Sequence, residues 1–338
     1  MAIMKDQDRV VGTGHEDKTD KAGTIGGGLA GGAVGGVAGG MKASFVRALF
    51  AAAVLFWAAV PARAVTGSYH PDPIHTYVGL AVFYDEDGEF SHRCSGSLLS
   101  PSIFLTAGHC TDDADNLSYA RIYFHQFAGS NFDPATQVDP VTGYPESCIS
   151  GDPLCVTGHE LYDFGFDNFA GFPNTRDAGI IVLDEPVTFA TTFASLAEPG
   201  SLDVLSTRRG IRGTEFTVVG YGVSDSWPPT KPVLSFRERL MATSTLQNLR
   251  NVWTGGFNIQ LSSAQGNDRG GICSGDSGGP VLWDDTDIIA GITSFGKHQQ
   301  CLGNGFAYRV DQEALIDWIL EIAATVGEAD MISVVPLE

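Results

Sequence analysis

A chain of 338 residues that is 43% hydrophobic and 10% aromatic carries enough apolar material for one large or two ordinary domains, which excludes an intrinsically disordered protein. Its 20 Lys and Arg stand against 40 Asp and Glu, a net charge of −20. Nucleic acids and anionic membranes are bound through basic footprints, so neither is an expected partner.

Residues 1–24 are polar and charged, and Gly26 to Gly40 is a run of glycine and small apolar residues. Residues 1–40 read as a low-complexity leader ahead of the true translation start. From Met41 the chain has a basic stretch, an apolar run from Ala48 to Val60, and then Pro61-Ala62-Arg63-Ala64. That order predicts a signal peptide over 41–64, cut after Ala64. The rival is an uncleaved anchor, since the glycine run and the apolar run together are long enough to span a bilayer. The cut would export the remainder, to the outside or to a bacterial periplasm. All six cysteines lie beyond it, between Cys94 and Cys301. In an exported chain an even number reads as a disulfide framework, with fifteen pairings open to sequence alone. No Cys-x-x-Cys and no zinc-type spacing is present, so no structural metal is expected.

Beyond the cut the pattern is strand-like. Val78 to Tyr84 is a run of β-formers ended by the turn Asp85-Glu86-Asp87-Gly88. Cys94 to Ser100 and Ile103 to Thr106 follow. Later runs are Ile180 to Leu183, Thr214 to Val219, Val281 to Trp283, Ile288 to Thr293 and Phe306 to Val310. Helical periodicity is confined to Gln312–Ala323, where Ala314, Leu315, Trp318, Ile319 and Ile322 share one face. Short strands with turn-rich connections predict an all-β fold, a barrel or sandwich, with a terminal helix.

Two motifs carry chemistry. Thr106-Ala107-Gly108-His109-Cys110 ends an apolar strand and pins a histidine beside a cysteine, which suits a general base. Gly275-Asp276-Ser277-Gly278-Gly279-Pro280 sets a serine among glycines, a tight turn that leaves backbone N–H groups free to bind an oxyanion. His15, His70, His75, His92, His125 and His159 carry no such context and read as structural.

Together these motifs resemble the chymotrypsin/trypsin family of serine proteases, in that family's order of histidine before serine. The resemblance spans residues 65–323. It implies two antiparallel β-barrels with the active site in the cleft between them, here 65–200 and 201–323 with the helix, leaving 324–338 as a tail. It implies a triad of Ser277 as nucleophile, His109 as base and an aspartate preceding a buried strand. Asp177, ahead of Ala178-Gly179-Ile180-Ile181-Val182-Leu183, fits that place better than Asp184, which follows the strand. Gly275 and Ser277 would supply the oxyanion hole. The resemblance pairs Cys94 with Cys110 and Cys273 with Cys301, leaving Cys148 and Cys155 for each other. The partners it implies are protein or peptide substrates and protein protease inhibitors, for a monomer that needs no cofactor. Asp85-Glu86-Asp87 and Asp112-Asp113-Asp115 are the candidates for structural calcium.

The same resemblance locates the specificity pocket. Six residues before Ser277 stands Gly271, where trypsin-like members keep the aspartate that binds Lys or Arg. Gly296 and Gly305 would leave the walls open and Ile272 would narrow them, so a neutral, apolar residue before the cut is expected. Lys297 and His298 at the rim would favour an acidic one instead. Ser294-Phe295-Gly296 resembles the edge that pairs with substrate backbone. The loop from Phe127 to Pro173 has two readings, shaping substrate access or decorating the fold, of which decoration is the one expected. Finally, a cut after Ala64 leaves Val65-Thr66-Gly67-Ser68, a loose match to the family's activating terminus, with Asp276 as the partner of the Val65 ammonium. Two other classes compete: an esterase using Gly-x-Ser-x-Gly, and a catalytically dead binding homologue. The first lacks the histidine order and alternating helices, and the second would require a missing triad member.

Overall fold

The computed structural model describes residues 2–3, 65–112, 116–128, 147–206, 213–223, 238–263, 268–298 and 301–337. The signal peptide and most of the leader lie outside these residues, as do Asp113 and Asp115 of the second calcium candidate.

The strand Val78–Asp85 (VGLAVFYD) is buried along all but its last residue, as a wall shared by a core and its covering must be. It turns through Gly88 (φ 78°), with the Asp85 Oδ1 accepting the N–H groups of Asp87 and Glu89. One oxygen of the first calcium candidate is therefore engaged in closing its own hairpin. The return strand is Phe90–Leu98. A seven-stranded antiparallel sheet is built on this pair, in the order Cys155–Gly158, Leu117–Tyr123, Val78–Asp85, Phe90–Leu98, Ile103–Thr106, Gly179–Val182 and Glu160–Asp163.

The second sheet runs Pro280–Trp283, Glu215–Gly220, Leu240–Asn248, Asn258–Ser262, Asn304–Arg309 and Ile288–Gly296. Pro280–Trp283 also pairs with Ile288–Gly296, which closes these six strands into a ring. The fold is thus mostly β, with two barrel-like sheets.

The terminal helix Glu313–Thr325 packs Leu315, Ile316, Ile319, Ile322 and Ala323 inward. Ala314, expected on that face, is exposed, because the apolar stripe centres on the Leu315/Ile319 line and takes in Ile316 instead. Residues 324–337 are not a loose tail. Val334–Val335 adds in parallel to Ser195–Ala197, and the Glu328 carboxylate accepts both the N–H and the hydroxyl of Ser102 at 2.9 Å. Ser195–Ala197 itself joins the second sheet through Ile288 and Ile289, so the first sheet ends before residue 195. Arg239, buried at the head of Leu240–Asn248, donates to the carbonyls of Asp72, Val78 and Phe124 and thereby ties the second sheet to the first.

Three disulfides form: Cys94–Cys110, Cys148–Cys155 and Cys273–Cys301. In the chain-entropy account the first, closing a separation of 16 residues, stabilises the fold by about 3 kcal/mol.

Candidate active site

The strand Ile103–Thr106 delivers the chain into a single turn of helix, Gly108–Thr111, which carries His109. This turn is held three ways. Cys110 is bridged to Cys94, Thr111 Oγ1 donates to the Tyr162 carbonyl at 3.0 Å, and Gly108 leaves no space for a side chain. A Cβ there would sit 2.6 Å from an Asp163 carboxylate oxygen. Burial pushes the Asp163 carboxyl up to about 6, with Asp112 and Asp177 adding to the rise.

Asp177 is fully buried just ahead of Gly179–Val182. Its carboxylate accepts the backbone N–H of His109 at 2.8 Å and faces His109 Nδ1 at 2.9 and 3.0 Å. The Ser294 hydroxyl donates to it as well. In sequence Ser294 is read as part of a substrate edge; in the fold its side chain reaches the Asp177 carboxylate. On the other side of the ring, His109 Nε2 lies 2.9 Å from Ser277 Oγ. Asp184, by contrast, is exposed and paired with His159.

Ser277 sits between Gly275 (φ 88°) and Gly278 (φ 79°), both in the left-handed region that side chains resist. A Cβ on Gly278 would lie 2.1 Å from Thr106 Oγ1, so the Ser277 turn is pressed against the strand that leads to His109. Ser95, which the sequence does not single out, fastens the same turn. Its N–H donates to the Ser277 carbonyl at 2.7 Å and its hydroxyl to the Gly275 carbonyl at 2.9 Å, while Tyr221 N–H donates to that hydroxyl. Neither the Gly275 nor the Ser277 N–H donates to any described residue.

Asp276 points the other way, into the protein. It accepts from the N–H groups of Cys273 at 2.8 Å and Gly222 at 2.9 Å, and no cationic side chain among the described residues reaches it. Burial pushes its carboxyl up to about 7. Close by, Thr66–Gly67 pairs antiparallel with Gly270–Gly271, and Val65 is fully buried in one apolar cluster with Ile272.

The pocket positions also converge. Gly305 pairs with Gly296 across two strands, and a Cβ on Gly305 would fall 2.3 Å from Ile272 Cγ1. Gly271 lies against Ser263 in the same way. Ile272 and Ser263 are buried and their side chains are uncharged, so neither brings a charge to this wall. Asp268 is exposed. The ammonium of Lys297 lies 4.2 Å above the Trp253 ring.

The end of the 127–173 loop does more than decorate the fold. Phe166 packs 5.8 Å from the His109 ring, and Phe169 and Phe172 stand edge-on to Phe295 at 5.5 and 6.0 Å. Phe295 in turn stacks on Phe306 at 4.5 Å. The spacing of three between Phe166, Phe169 and Phe172, just before Asp177, is the signal in the sequence that points to them. Among the described residues the one compact cluster of metal-ligand types is Cys94, His109 and Cys110, and its two sulfurs are bonded to each other.

The family model described as Trypsin matches residues 70–319. The chain belongs to the trypsin family. Brachyurin from Leptuca pugilator is 32% identical over 223 residues, covering 65% of this chain and 81% of that protein. Chymotrypsin-like elastase family member 3B from Homo sapiens is 27% identical over 255 residues, covering 73% and 84%. Ovochymase from Halocynthia roretzi is 25% identical over 240 residues, 69% of this chain but only 13% of that longer protein. Among solved structures, HL collagenase superposes with a TM-score of 0.52 at 17% identity, over 77% of this chain and 98% of its own. HBP gives 0.51 at 21% identity, over 77% and 96%. At such identities the likeness speaks to the fold, which is chymotrypsin-like. As a member of the trypsin family the chain is a serine endopeptidase, a hydrolase of peptide bonds whose substrates are proteins.

Proposed function

We propose that the protein is a secreted endopeptidase that cuts after a neutral, apolar residue, using Ser277, His109 and Asp177 through an acyl-enzyme. The observation that carries this reading is the unbroken chain of contacts from Ser277 Oγ through the His109 ring to Asp177. With the Asp177 carboxylate acting as acceptor, Nδ1 carries the ring hydrogen and Nε2 accepts from the serine hydroxyl. As Ser277 attacks the scissile carbonyl, His109 takes its proton and Asp177 stabilises the imidazolium. The proton then passes to the leaving amine, and water repeats the cycle on the acyl-enzyme. The free N–H groups of Gly275 and Ser277 would receive the oxyanion, each donor being worth about 100- to 1000-fold in rate. Labelling of Ser277 by a fluorophosphonate, together with cleavage of a peptide library, tests the reading. A library left uncut by labelled protein would overturn it.

The preference for a neutral residue rests on Gly271, Gly305 and Ile272. Ile272→Ala should deepen the pocket, raising kcat/KM for Phe relative to Val before the cut by about 10-fold or more. An unchanged Phe/Val ratio would count against Ile272 as the pocket end.

Activation is read from Val65. In the uncut chain its φ is 68°, a conformation costing a β-branched residue on the order of 1–3 kcal/mol. That angle is defined by the Ala64–Val65 bond and ceases to exist once the bond is cut. Cleavage after Ala64 would therefore relieve the strain and free an ammonium to pair with Asp276. Export and a monomeric mature chain from residue 65 complete the proposal. Protein inhibitors that fill the cleft would act as substrate mimics.

A further inference from the structure

Lys297 follows directly on the edge Ser294-Phe295-Gly296. Its ammonium is 4.2 Å from the Trp253 ring centroid and 5.3 Å from that of Phe306. Cation–π attraction holds it there. The side chain is exposed, and no carboxylate among the described residues pairs with it. A chain of net charge −20 thus holds a cation on an aromatic shelf next to this edge.

The edge accepts an added strand in a definite register. The backbone of Ala2–Ile3 pairs antiparallel with it, Ala2 opposite Gly296 and Ile3 opposite Phe295. A substrate in the same direction, with the residue before the cut opposite Ser294, would set its second residue against Phe295 and its third against Gly296. The fourth would fall opposite Lys297. Residues directly opposite in an antiparallel pair project to the same face, with Cβ atoms about 5 Å apart.

Resting on the endopeptidase reading, we propose that Lys297 selects peptides bearing a carboxylate side chain four residues before the cut bond. The attraction is that of an exposed ion pair, so the gain over a neutral side chain is about 2- to 5-fold in kcat/KM at low salt, fading as salt screens it. Because Trp253 and Phe306 restrict the ammonium, less ordering is required when substrate binds.

The test uses three fluorogenic peptides that differ only in having Glu, Gln or Lys at the fourth position. They are assayed with wild type, Lys297→Gln and Lys297→Glu, each normalised by fluorophosphonate titration of active sites so that misfolded protein does not count. Wild type should prefer Glu over Gln over Lys, K297Q should level the series, and K297E should reverse it. A Glu-to-Lys ratio that is the same in wild type and K297E overturns the proposal. Failure of every enzyme to cut any of the peptides would overturn the endopeptidase reading itself and this inference with it.

Discussion

Replacing Ser277 by alanine is expected to lower kcat by about 10⁶-fold, the scale seen when a triad nucleophile is removed from a serine protease. His109→Ala should cost about as much, and the double variant little more, because the two act as one unit. Asp177→Asn should be milder, about 10⁴-fold, since an amide at that place favours the wrong ring tautomer. The amide would also have to satisfy the His109 N–H and the Ser294 hydroxyl, both of which now donate to the carboxylate. The measurements are initial rates on a fluorogenic peptide and fluorophosphonate labelling. A Ser277→Ala protein that still cleaves at wild-type rate, or still labels, would end the triad assignment.

The second large effect concerns Asp276. In the uncut chain burial raises its carboxyl from 3.8 to about 7. A carboxyl raised on folding favours the folded state below the unfolded value, and that contribution disappears as pH climbs through the folded one. The uncut chain should therefore lose on the order of 4 kcal/mol between about pH 4 and pH 7.5. A freed Val65 ammonium would reverse the sign by drawing the carboxyl down again. The expected result is a urea midpoint that falls with pH for the uncut chain, falls less steeply for Asp276→Asn in the same chain, where Asp163 still titrates, and holds better at neutral pH for the processed form. Activity should follow. Processed Asp276→Asn should lose about 100- to 1000-fold, the scale of one misplaced oxyanion donor. Processed wild type should lose activity at alkaline pH, as an α-amino group of ordinary pKa about 8, raised by its partner, gives up its proton. The uncut chain also carries Ala2–Ile3 on the substrate edge, with Ser277 fully buried. A variant starting two residues before Val65 separates the two effects, since it lacks that strand but withholds the ammonium. Full activity in that variant would rule out the Val65–Asp276 pair.

Much of this architecture is legible because its information is local. Ile103–Thr106 is a short apolar run bounded by turns, and it folds as read. Leu240–Asn248 escapes the pattern because its sequence, LMATSTLQN, mixes Ser and Thr into the wall, and Ser244 is buried by donating its hydroxyl to the Ser262 carbonyl. Polarity that is satisfied only by a partner 18 residues away carries no signature in a local window. The same holds at the site. The contexts of His109 and Ser277 are written in contiguous residues. Ser95 fastens the Ser277 turn from a different strand, and the side-chain contact of Ser294 with Asp177 spans 117 residues, so no local window announces either.

Arg239 has a consequence for how the molecule comes apart. Its guanidinium belongs to the second barrel, yet it satisfies the carbonyl groups of Val78 and Phe124 on the side of the first. Separating the barrels would leave a dry cation on one piece and unmatched acceptors on the other, each costing about 1–3 kcal/mol until water arrives. Two lobes that look divisible by sheet order are therefore joined as a single cooperative melting unit. A cleft built between them keeps its shape for as long as the whole protein stays folded.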